Sequence, residues 1–441
     1  MVIPILTPRQ RLAIGIAIFA LVAAGAWAII RFVSPDPPRR LSMSTGAADG
    51  AYHQFGLKYQ QVLKSNGITL DLLPSSGSVE NLKRLNDGVV SVGLVQGGLG
   101  FLSLDPQKEA DETPLRSLAT VAFEPVWIFS HTLDLSHGLS VLKGKQIAVG
   151  VAGSGSRKLA MELLTTYGLA DTSGQPLGNT VLVDVGGVAA ATQLVQHALD
   201  AVIIVAAPQA SAVKQLLGNP SIRLASLDHV EGLARRFPYF QPVSLKRGSV
   251  NPEHNIPAQD VQLLATTANL VIADSLHPAL AYLLLEAAQQ THGQPSLLSR
   301  PGDFPSPRAT DFPLADEADR YFKNGRPFLQ RYLPFWLANF VQRLILMLIP
   351  LVAILVPVFK VIPALLEWKQ KNRLYRRYGE LKFLENDLAA RTFSAAEKTA
   401  ALARLEAIEA EIGAARFPLD FSDRVYTLRQ HVDYVRSRLN R

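Results

Sequence analysis

The chain has 441 residues, which suggests two or three domains of ordinary size. Apolar residues make up 48% and charged residues 18%, and cysteine is absent, so a disulfide framework, a thiolate nucleophile and a cysteine-based metal site are excluded. The formal net charge is +7, and residues 369–441 hold 15 basic against 10 acidic residues. Most of the basic excess therefore lies in a C-terminal tail, which favours charge near a membrane surface over nucleic-acid binding.

The first apolar segment covers residues 12–30 and contains 19 residues without a charge. It is long enough to cross the hydrocarbon layer, which needs about 20 residues. The alternative is a cleavable signal peptide, since Ala24, Gly25 and Ala26 form an A-x-A-like site. Apolar residues continue past that site to Val33. We therefore favour an uncleaved anchor at 12–33, with residues 1–11 in the cytoplasm.

The second apolar segment covers residues 333–368, with an uninterrupted centre at 344–359. Trp336 and Trp368 suit the two membrane interfaces. The segment is followed by a cluster of basic residues: Lys369, Lys371, Arg373, Arg376 and Arg377. Positive charge favours the cytoplasmic side, so the tail at 369–441 is predicted to be cytoplasmic. With two spans in a bacterial inner membrane, residues 34–332 are then predicted to lie in the periplasm.

The region between these segments alternates strand-like and helix-like stretches. The predicted strands are residues 41–44, 68–73, 89–95, 146–151, 180–185 and 201–206. The predicted helices are residues 52–64, 79–85, 157–167, 189–199 and 210–217. This order predicts α/β units with largely parallel sheets, and about 300 residues favour two lobes over one sheet. We expect a first lobe at 41–130, a second lobe at 131–240, and a return to the first lobe, with a linker, at 241–332.

Three predicted strands are followed by turns of small and hydroxyl-bearing residues that lead into helices. The turns cover residues 45–50, 75–78 and 153–156. Backbone N–H groups at a helix start favour an anion or a polar ligand oxygen, and Ser or Thr adds a short donor. Each turn alone could be ordinary helix capping. Three such turns at strand ends in one domain favour a shared ligand cleft.

The same turns resemble a known family. SSGSVENLKRLNDG at residues 75–88, the Val95-Gln96 pair and LKGKQIAVGVAGSGSRKLAMELL at residues 142–164 are similar to the solute-binding subunits of tripartite ATP-independent periplasmic (TRAP) transporters of the TAXI group. The segment around residues 327–344 resembles a membrane-anchored subset of that group. The resemblance implies a type II periplasmic-binding-protein fold that closes on a small solute and presents it to a multi-span TRAP permease.

Carried onto this sequence, the resemblance implies ligand contacts from both lobes. In the first lobe these are Thr45, Tyr52, Ser76, Gly77, Ser78 and Gln96. In the second lobe they are Ser154, Gly155 and Ser156. Tyr52 is equally compatible with a core or rim aromatic, and Glu80 and Asn81 are expected to support the loop rather than bind. The ligand itself stays open, with a small carboxylate as the hypothesis that the N–H-rich turns motivate.

The sequence lacks the common catalytic signatures. It has no G-x-S-x-G elbow, no P-loop and no G-x-G-x-x-G register, and its nine histidines are scattered. We therefore expect no enzyme activity, no cofactor, no metal site and no nucleic-acid partner.

The tail carries three apolar stripes at helical spacing, which indicate either a self-contained helical bundle or a surface that docks to a partner. Two functions follow: a transport receptor, or a membrane sensor that signals occupancy through the second span to the tail.

Overall fold

The computed structural model describes residues 36–100, 114–135, 138–414 and 421–440, together with five isolated positions between 16 and 27. The anchor predicted at 12–33 otherwise lies outside the described residues. The chain forms two compact units, Asp36–Asn339 and a second unit that includes Phe340–Arg441. The first unit corresponds to the predicted binding region and the second contains the predicted tail, and each is described by itself.

The binding unit is built on ten strands. They are β1 (Arg40–Gly46), β2 (Thr69–Pro74), β3 (Val92–Gln96), β4 (Leu115–Ser130), β5 (Gln146–Ala148), β6 (Val181–Val183), β7 (Ala201–Val205), β8 (Arg223–Leu224), β9 (Gln241–Leu245) and β10 (Val261–Ala273). The hydrogen-bonded order is β2-β1-β3-β10-β4-β7-β5-β6, with β8 beside β4 and β9 beside β10. The sheet therefore has one half around β1 and another around β5, joined through the long strands β4 and β10.

The strand directions distinguish the two halves from their connections. Within each half, β1 runs parallel to β2 and β3, and β5 runs parallel to β6 and β7. The joining strands are antiparallel to their neighbours in both halves. Pro125 of β4 pairs with Ala265 of β10, whereas the next residue, Val126, pairs with Val205 of β7. The prediction of an α/β architecture is therefore confirmed, and β4 crosses from one half to the other as a single long strand.

Helices cover both faces of the sheet in the binding unit. They are α1 (Ala51–Ser65), α2 (Ser78–Asn86), α3 (Gly155–Thr166), α4 (Gly187–Val195), α5 (Ser211–Leu217), α6 (Val230–Arg236), α7 (Pro278–His292), α8 (Asp316–Asn324) and α9 (Phe328–Tyr332). A 3-10 turn at Leu139–Leu142 precedes β5. Hereafter the first lobe means β1–β3 with α1 and α2, and the second lobe means β5–β7 with α3–α5.

The buried core follows this layering. One apolar cluster runs through both lobes and includes Tyr59 and Leu63 of α1, Ile204 of β7 and Leu280 of α7. A second cluster fills the other face of the second lobe, with Leu159 of α3 at its centre. A third, smaller cluster lies beneath α2. Because α1, α3 and α4 each pack an apolar stripe against the sheet, their N-termini are held at the carboxyl ends of the parallel strands.

The second unit is helical. Its helices are α10 (Phe335–Ala390, which begins in the binding unit), α11 (Ala395–Ala414) and α12 (Ser422–Leu439). The three predicted stripes share one core, represented by Leu381, Leu405 and Val432, all buried. Ser394 and Glu397 form a capping box, since the Ser394 N–H donates to Glu397 Oε2 at 2.8 Å. The tail is therefore a bundle that buries its own apolar stripes.

The segment predicted at 333–368 is helical as part of α10. Of its side chains, those at 349–351, 354, 355 and 357–367 lie outside the described residues. Over the part of the chain that the structure describes, no helix combines the length and the apolar character that a membrane crossing requires. At the start of α10, the Trp336 indole donates to the Asn66 carbonyl at 2.8 Å, which ties the helix to the end of α1.

Candidate functional site

A cavity of about 280 Å³ opens between the two lobes. Every residue predicted to contact a ligand lines it, from Thr45, Tyr52, Ser76, Gly77, Ser78 and Gln96 of the first lobe to Ser154, Gly155 and Ser156 of the second. The strand order explains the convergence, because loops at the carboxyl ends of the parallel strands in each half face the same gap. The three N–H-rich turns are therefore brought together at one place.

Four helices of at least nine residues begin at this cavity: α1, α2, α3 and α4. Three of them start after a glycine, Gly50, Gly77 or Gly186, that offers no side-chain cap to the first turn. Only α3 is capped by its own serine, since Ser154 Oγ accepts from the Arg157 N–H at 3.2 Å. First-turn N–H groups have no partner inside a helix, so this arrangement aims several positively polarised donors at one space.

Glu124 lies on the wall of this cavity and was missed as a site residue by sequence reasoning. It is 2% exposed and sits on β4, next to the point where that strand passes from one half-sheet to the other. Its Oε2 accepts from the Tyr52 hydroxyl at 2.8 Å and from Gln96 Nε2 at 3.1 Å. The backbone N–H of Ala207, a residue that follows β7, also donates to the Glu124 carboxylate. The carboxyl group thus joins groups from both lobes.

Burial controls the charge of this group. Removal from water raises the pKa of Glu124 to about 7, against the lowering effect of the hydrogen bonds from Tyr52, Gln96 and Ala207. The same burial, with the neighbouring carboxylate second, raises the pKa of Tyr52 well above its usual value. Tyr52 is therefore a neutral donor. Near pH 7 the Glu124 carboxyl is divided between its neutral and ionised forms.

Gln96 connects the lobes and has an unused acceptor. Its Nε2 donates to the Val205 carbonyl of β7 at 2.8 Å as well as to Glu124. Its Oε1 is buried and has no hydrogen-bond partner among the described residues. A Cβ on Gly155 would lie 2.5 Å from that oxygen, so the amide fits only against a glycine at this helix start.

The two lobes touch at their N–H-rich turns. Gly77 has φ +137°, and a Cβ built on it would lie 3.0 Å from Ser154 Cα. Gly153 has φ +81°, and its Cβ would lie 2.6 Å from Ser76 Oγ. Contacts this close between the turns leave no room for a side chain at either glycine. The structure therefore shows the lobes closed over the cavity.

A second set of contacts closes the other rim. Asp49 of the first lobe accepts from the Val188 N–H at the start of α4 at 3.4 Å, and its carbonyl accepts from the Ser211 hydroxyl at 3.1 Å. Sequence reasoning did not predict Asp49, Gly187 or Ser211 as ligand contacts, although all three line the cavity. Asp49 lay inside the first predicted turn, but Gly187 followed a predicted strand without the hydroxyl residues that marked the other turns.

The remaining predicted residues make mostly structural bonds. Ser78 Oγ accepts from the Gln96 backbone N–H at 3.0 Å, and Ser156 Oγ donates to the Val205 carbonyl at 2.8 Å. Thr45 Oγ1 lies 3.1 Å from His53 Nδ1. Ser76 donates to Glu80 through both its N–H and its hydroxyl, at 2.7 Å each. These bonds fix the turns in place, so that the backbone of each turn is presented to the cavity.

The fold and the interlobe cavity together define a periplasmic-binding-protein-like domain. Residues 43–301, more than half of the chain, match the NMT1-like family. The chain belongs to the NMT1-like family.

Solved structures similar to this chain include three ligand-binding domains. The periplasmic aliphatic sulphonate binding protein SsuA from Escherichia coli is 14% identical over 58% of this chain and 73% of its own, with a TM-score of 0.35. The amino acid ABC transporter substrate-binding protein AbpA from Streptococcus pneumoniae, bound to L-arginine, is 15% identical over 57% and 88%, with a TM-score of 0.34. The BenM effector binding domain with benzoate is 10% identical over 58% and 92%, with a TM-score of 0.35. Likeness at this level assigns no ligand to the cavity.

Proposed function

We propose that this chain is an extracytoplasmic solute-binding receptor that closes its two lobes on a small solute, in the manner of a type II periplasmic binding protein. The observation that carries the proposal is the convergence of helix starts from both lobes on one cavity, next to close contacts between the two lobes. Hinge closure of this kind is favoured by a ligand that touches both lobes. The residues proposed to bind are the nine predicted ones together with Glu124.

The proposed solute is a small carboxylate. The starts of α1 and α2 offer backbone N–H groups without side-chain caps, and such groups favour anionic oxygens, whereas the Val188 N–H at the start of α4 already donates to Asp49. No lysine, arginine or histidine is among the described residues that line the cavity. Fixed amides and hydroxyls would therefore supply the recognition, and the raised pKa of Glu124 limits the opposing negative charge.

A pair of variants at Gly50 tests the charge of the solute. Gly50 precedes α1 in an ordinary extended conformation, which residues with a side chain can also adopt. Gly50→Asp would cap the first turn with a carboxylate, whereas Gly50→Asn has nearly the same shape without the charge. For an anionic solute we expect at least tenfold weaker binding in the Asp variant than in the Asn variant.

The measurement is a thermal-shift screen of the intact chain in detergent with carboxylates and neutral sugars, followed by affinities for the hits. A ligand that binds only the native state raises the midpoint. Shifts with sugars alone, or equal affinities for both Gly50 variants, would reject the carboxylate. No shift from any small molecule would reject the receptor itself.

The proposal includes attachment to a bacterial inner membrane, with the binding unit in the periplasm and the tail in the cytoplasm. It rests on the uncharged run at 12–30, the apolar run at 344–359 and the basic residues that follow. Extraction of membranes with alkaline carbonate tests the attachment, since a spanning protein stays in the pellet. Cysteines placed at Val79 and Tyr434, both exposed, test the topology. A membrane-impermeant maleimide should label only the first in intact spheroplasts.

The proposed partner is a multi-span permease of the TRAP type, which the TAXI resemblance supports. Co-purification with a permease encoded beside this chain would support transport. The alternative function is a membrane sensor. The folded tail supports this alternative, because α10 includes residues of both the binding unit and the tail unit. A tail that captures a soluble cytoplasmic partner only when solute is present would favour the sensor.

A further inference from the structure

A second cavity, of about 170 Å³, adjoins the binding cleft and is called here the rear cavity. It is lined by residues that include Phe55, Lys58, Phe123, Gln209, Thr291 and His292. Three segments contribute to both cavities with different residues. Phe123 lines the rear cavity and its neighbour Glu124 lines the cleft, as successive residues of a strand point to opposite faces. None of the nine predicted ligand contacts lines the rear cavity.

The rear cavity contains two buried polar atoms that lack partners. His292 Nε2 and Gln209 Oε1 have no hydrogen bond among the described residues. They come from separate parts of the chain, the end of α7 and the turn before α5. His292 is 9% exposed and packs edge-on against Phe55, with ring centroids 4.6 Å apart. A buried polar atom without a partner costs about 1–3 kcal/mol, so two such atoms on residues that line one cavity favour the binding of a polar molecule there.

The charges around the rear cavity restrict what that occupant can be. Gln209 Oε1 accepts only, so it needs a donor from the occupant. Lys58 is exposed, so water solvates its ammonium group, and its positive charge disfavours a cationic occupant. His292 is neutral, because burial first and Lys58 second lower its pKa to about 3, and it therefore has one donor and one acceptor nitrogen. A carboxylate would be repelled by the Gln209 oxygen, and an ammonium group would be repelled by the positive charge of Lys58. Hydroxyl groups both donate and accept, and so they satisfy Gln209 and His292 without opposing the charge of Lys58.

We propose that the rear cavity is a second binding site, which takes a small neutral polyhydroxyl compound of about the size of glycerol or erythritol. The volume equals that of on the order of five or six water molecules in the liquid, which matches a molecule of this size. Its walls come from α1 of the first lobe and from the turn between β7 and α5 of the second, so an occupant bridges both lobes. The inference does not depend on what the main cleft binds.

The test measures the unfolding midpoint of the intact chain against glycerol and erythritol concentration, in wild type, Gln209→Leu and His292→Phe. Polyols stabilise all proteins by exclusion from the surface, with a rise that does not saturate. Binding adds a rise that is steep at low concentration and then grows only with the logarithm of the concentration. We expect this rise, about 3 °C at ten times the dissociation constant, in wild type only. Gln209 is half-buried and outside the main core, so its variant keeps the test valid if His292→Phe fails to fold.

Superimposable curves for wild type and Gln209→Leu, both without the steep early rise, would overturn the proposal. So would a crystal soaked in erythritol that shows only water in the rear cavity. A steep early rise that disappears in Gln209→Leu, together with the polyol within hydrogen-bond distance of His292 Nε2, would establish the site.

Discussion

Substitution of Gly153 should open the two lobes. Gly153 has φ +81°, and a Cβ there would lie 2.6 Å from Ser76 Oγ in the opposite lobe. Gly153→Ala therefore adds two costs. The left-handed backbone costs about 1–2 kcal/mol whether the lobes are open or closed. The second cost falls on the closed state alone, because Ser76 Oγ must move away and give up its 2.7 Å bond to Glu80.

The loss of that hydrogen bond to a carboxylate, at a part-buried position, is worth about 1–2 kcal/mol. A change of this size alters an equilibrium constant by roughly 5–30-fold. We therefore expect the ratio of closed to open molecules to fall by that factor. The affinity for any ligand that requires closure should fall by the same factor, since the binding-competent population is reduced.

Because the chain has no cysteine, two introduced cysteines can report the distance between the lobes. Val79 on α2 and Val181 on β6 are 40% and 48% exposed and accept spin labels without disturbing the core. Gly168→Ala is the matched control, since Gly168 has φ +66° and no atom within 4 Å of its Cβ. Gly153→Ala should lengthen the measured distances, and Gly168→Ala should not. Identical distance distributions for the two variants would refute closure through this contact.

Three further predictions follow from buried groups. The pKa of Glu124 is about 7 in the native state against 4.5 in a model peptide, so this group makes the free energy of unfolding fall by up to about 3 kcal/mol as pH rises from 4.5 to 7. The difference in melting temperature between wild type and Glu124→Gln should follow that slope, and a flat difference would contradict it. If the solute is anionic, it should raise the pKa of Glu124 further, so calorimetry near pH 7.5 in two buffers should detect proton uptake that Glu124→Gln abolishes. In the tail, Leu405→Ala should cost about 2–5 kcal/mol and expose the bundle to protease, whereas Leu402→Ala, at a partly buried position, should cost less.

The apolar periodicity of the sequence was sufficient to predict the α/β order and the shared cleft. The strands around β1 and β5 are short and bounded by turn residues, so their positions are visible locally. The turns at 45–50, 75–78 and 153–156 carry small and hydroxyl residues, and parallel strands bring such turns to one edge. The tail stripes were equally visible, since leucines at helical spacing have to bury themselves somewhere.

The features that depend on distant partners were not visible. Strand β4 mixes apolar residues with Arg116, Thr120 and Glu124, and only its pairing shows that it changes partners between Pro125 and Val126. An acid within a strand, such as Glu124, gives no local sign that Tyr52 and Gln96 donate to it. The close approach of Gly153 to Ser76 likewise exists only when the lobes meet.

The buried carboxyl of Glu124 explains why backbone amides are suited to recognising the proposed anionic solute. An arginine or lysine in this cavity would form an ion pair with Glu124 and lower the pKa of that carboxyl, which would leave less positive charge for a solute. Helix-start amides cannot be neutralised in this way, because they are fixed in the backbone and carry only partial charge. Burial meanwhile keeps Glu124 largely protonated below pH 7. The cleft can therefore present donors to an anion from both lobes while its one deeply buried carboxyl, hydrogen-bonded to Tyr52, Gln96 and Ala207, holds those lobes in register.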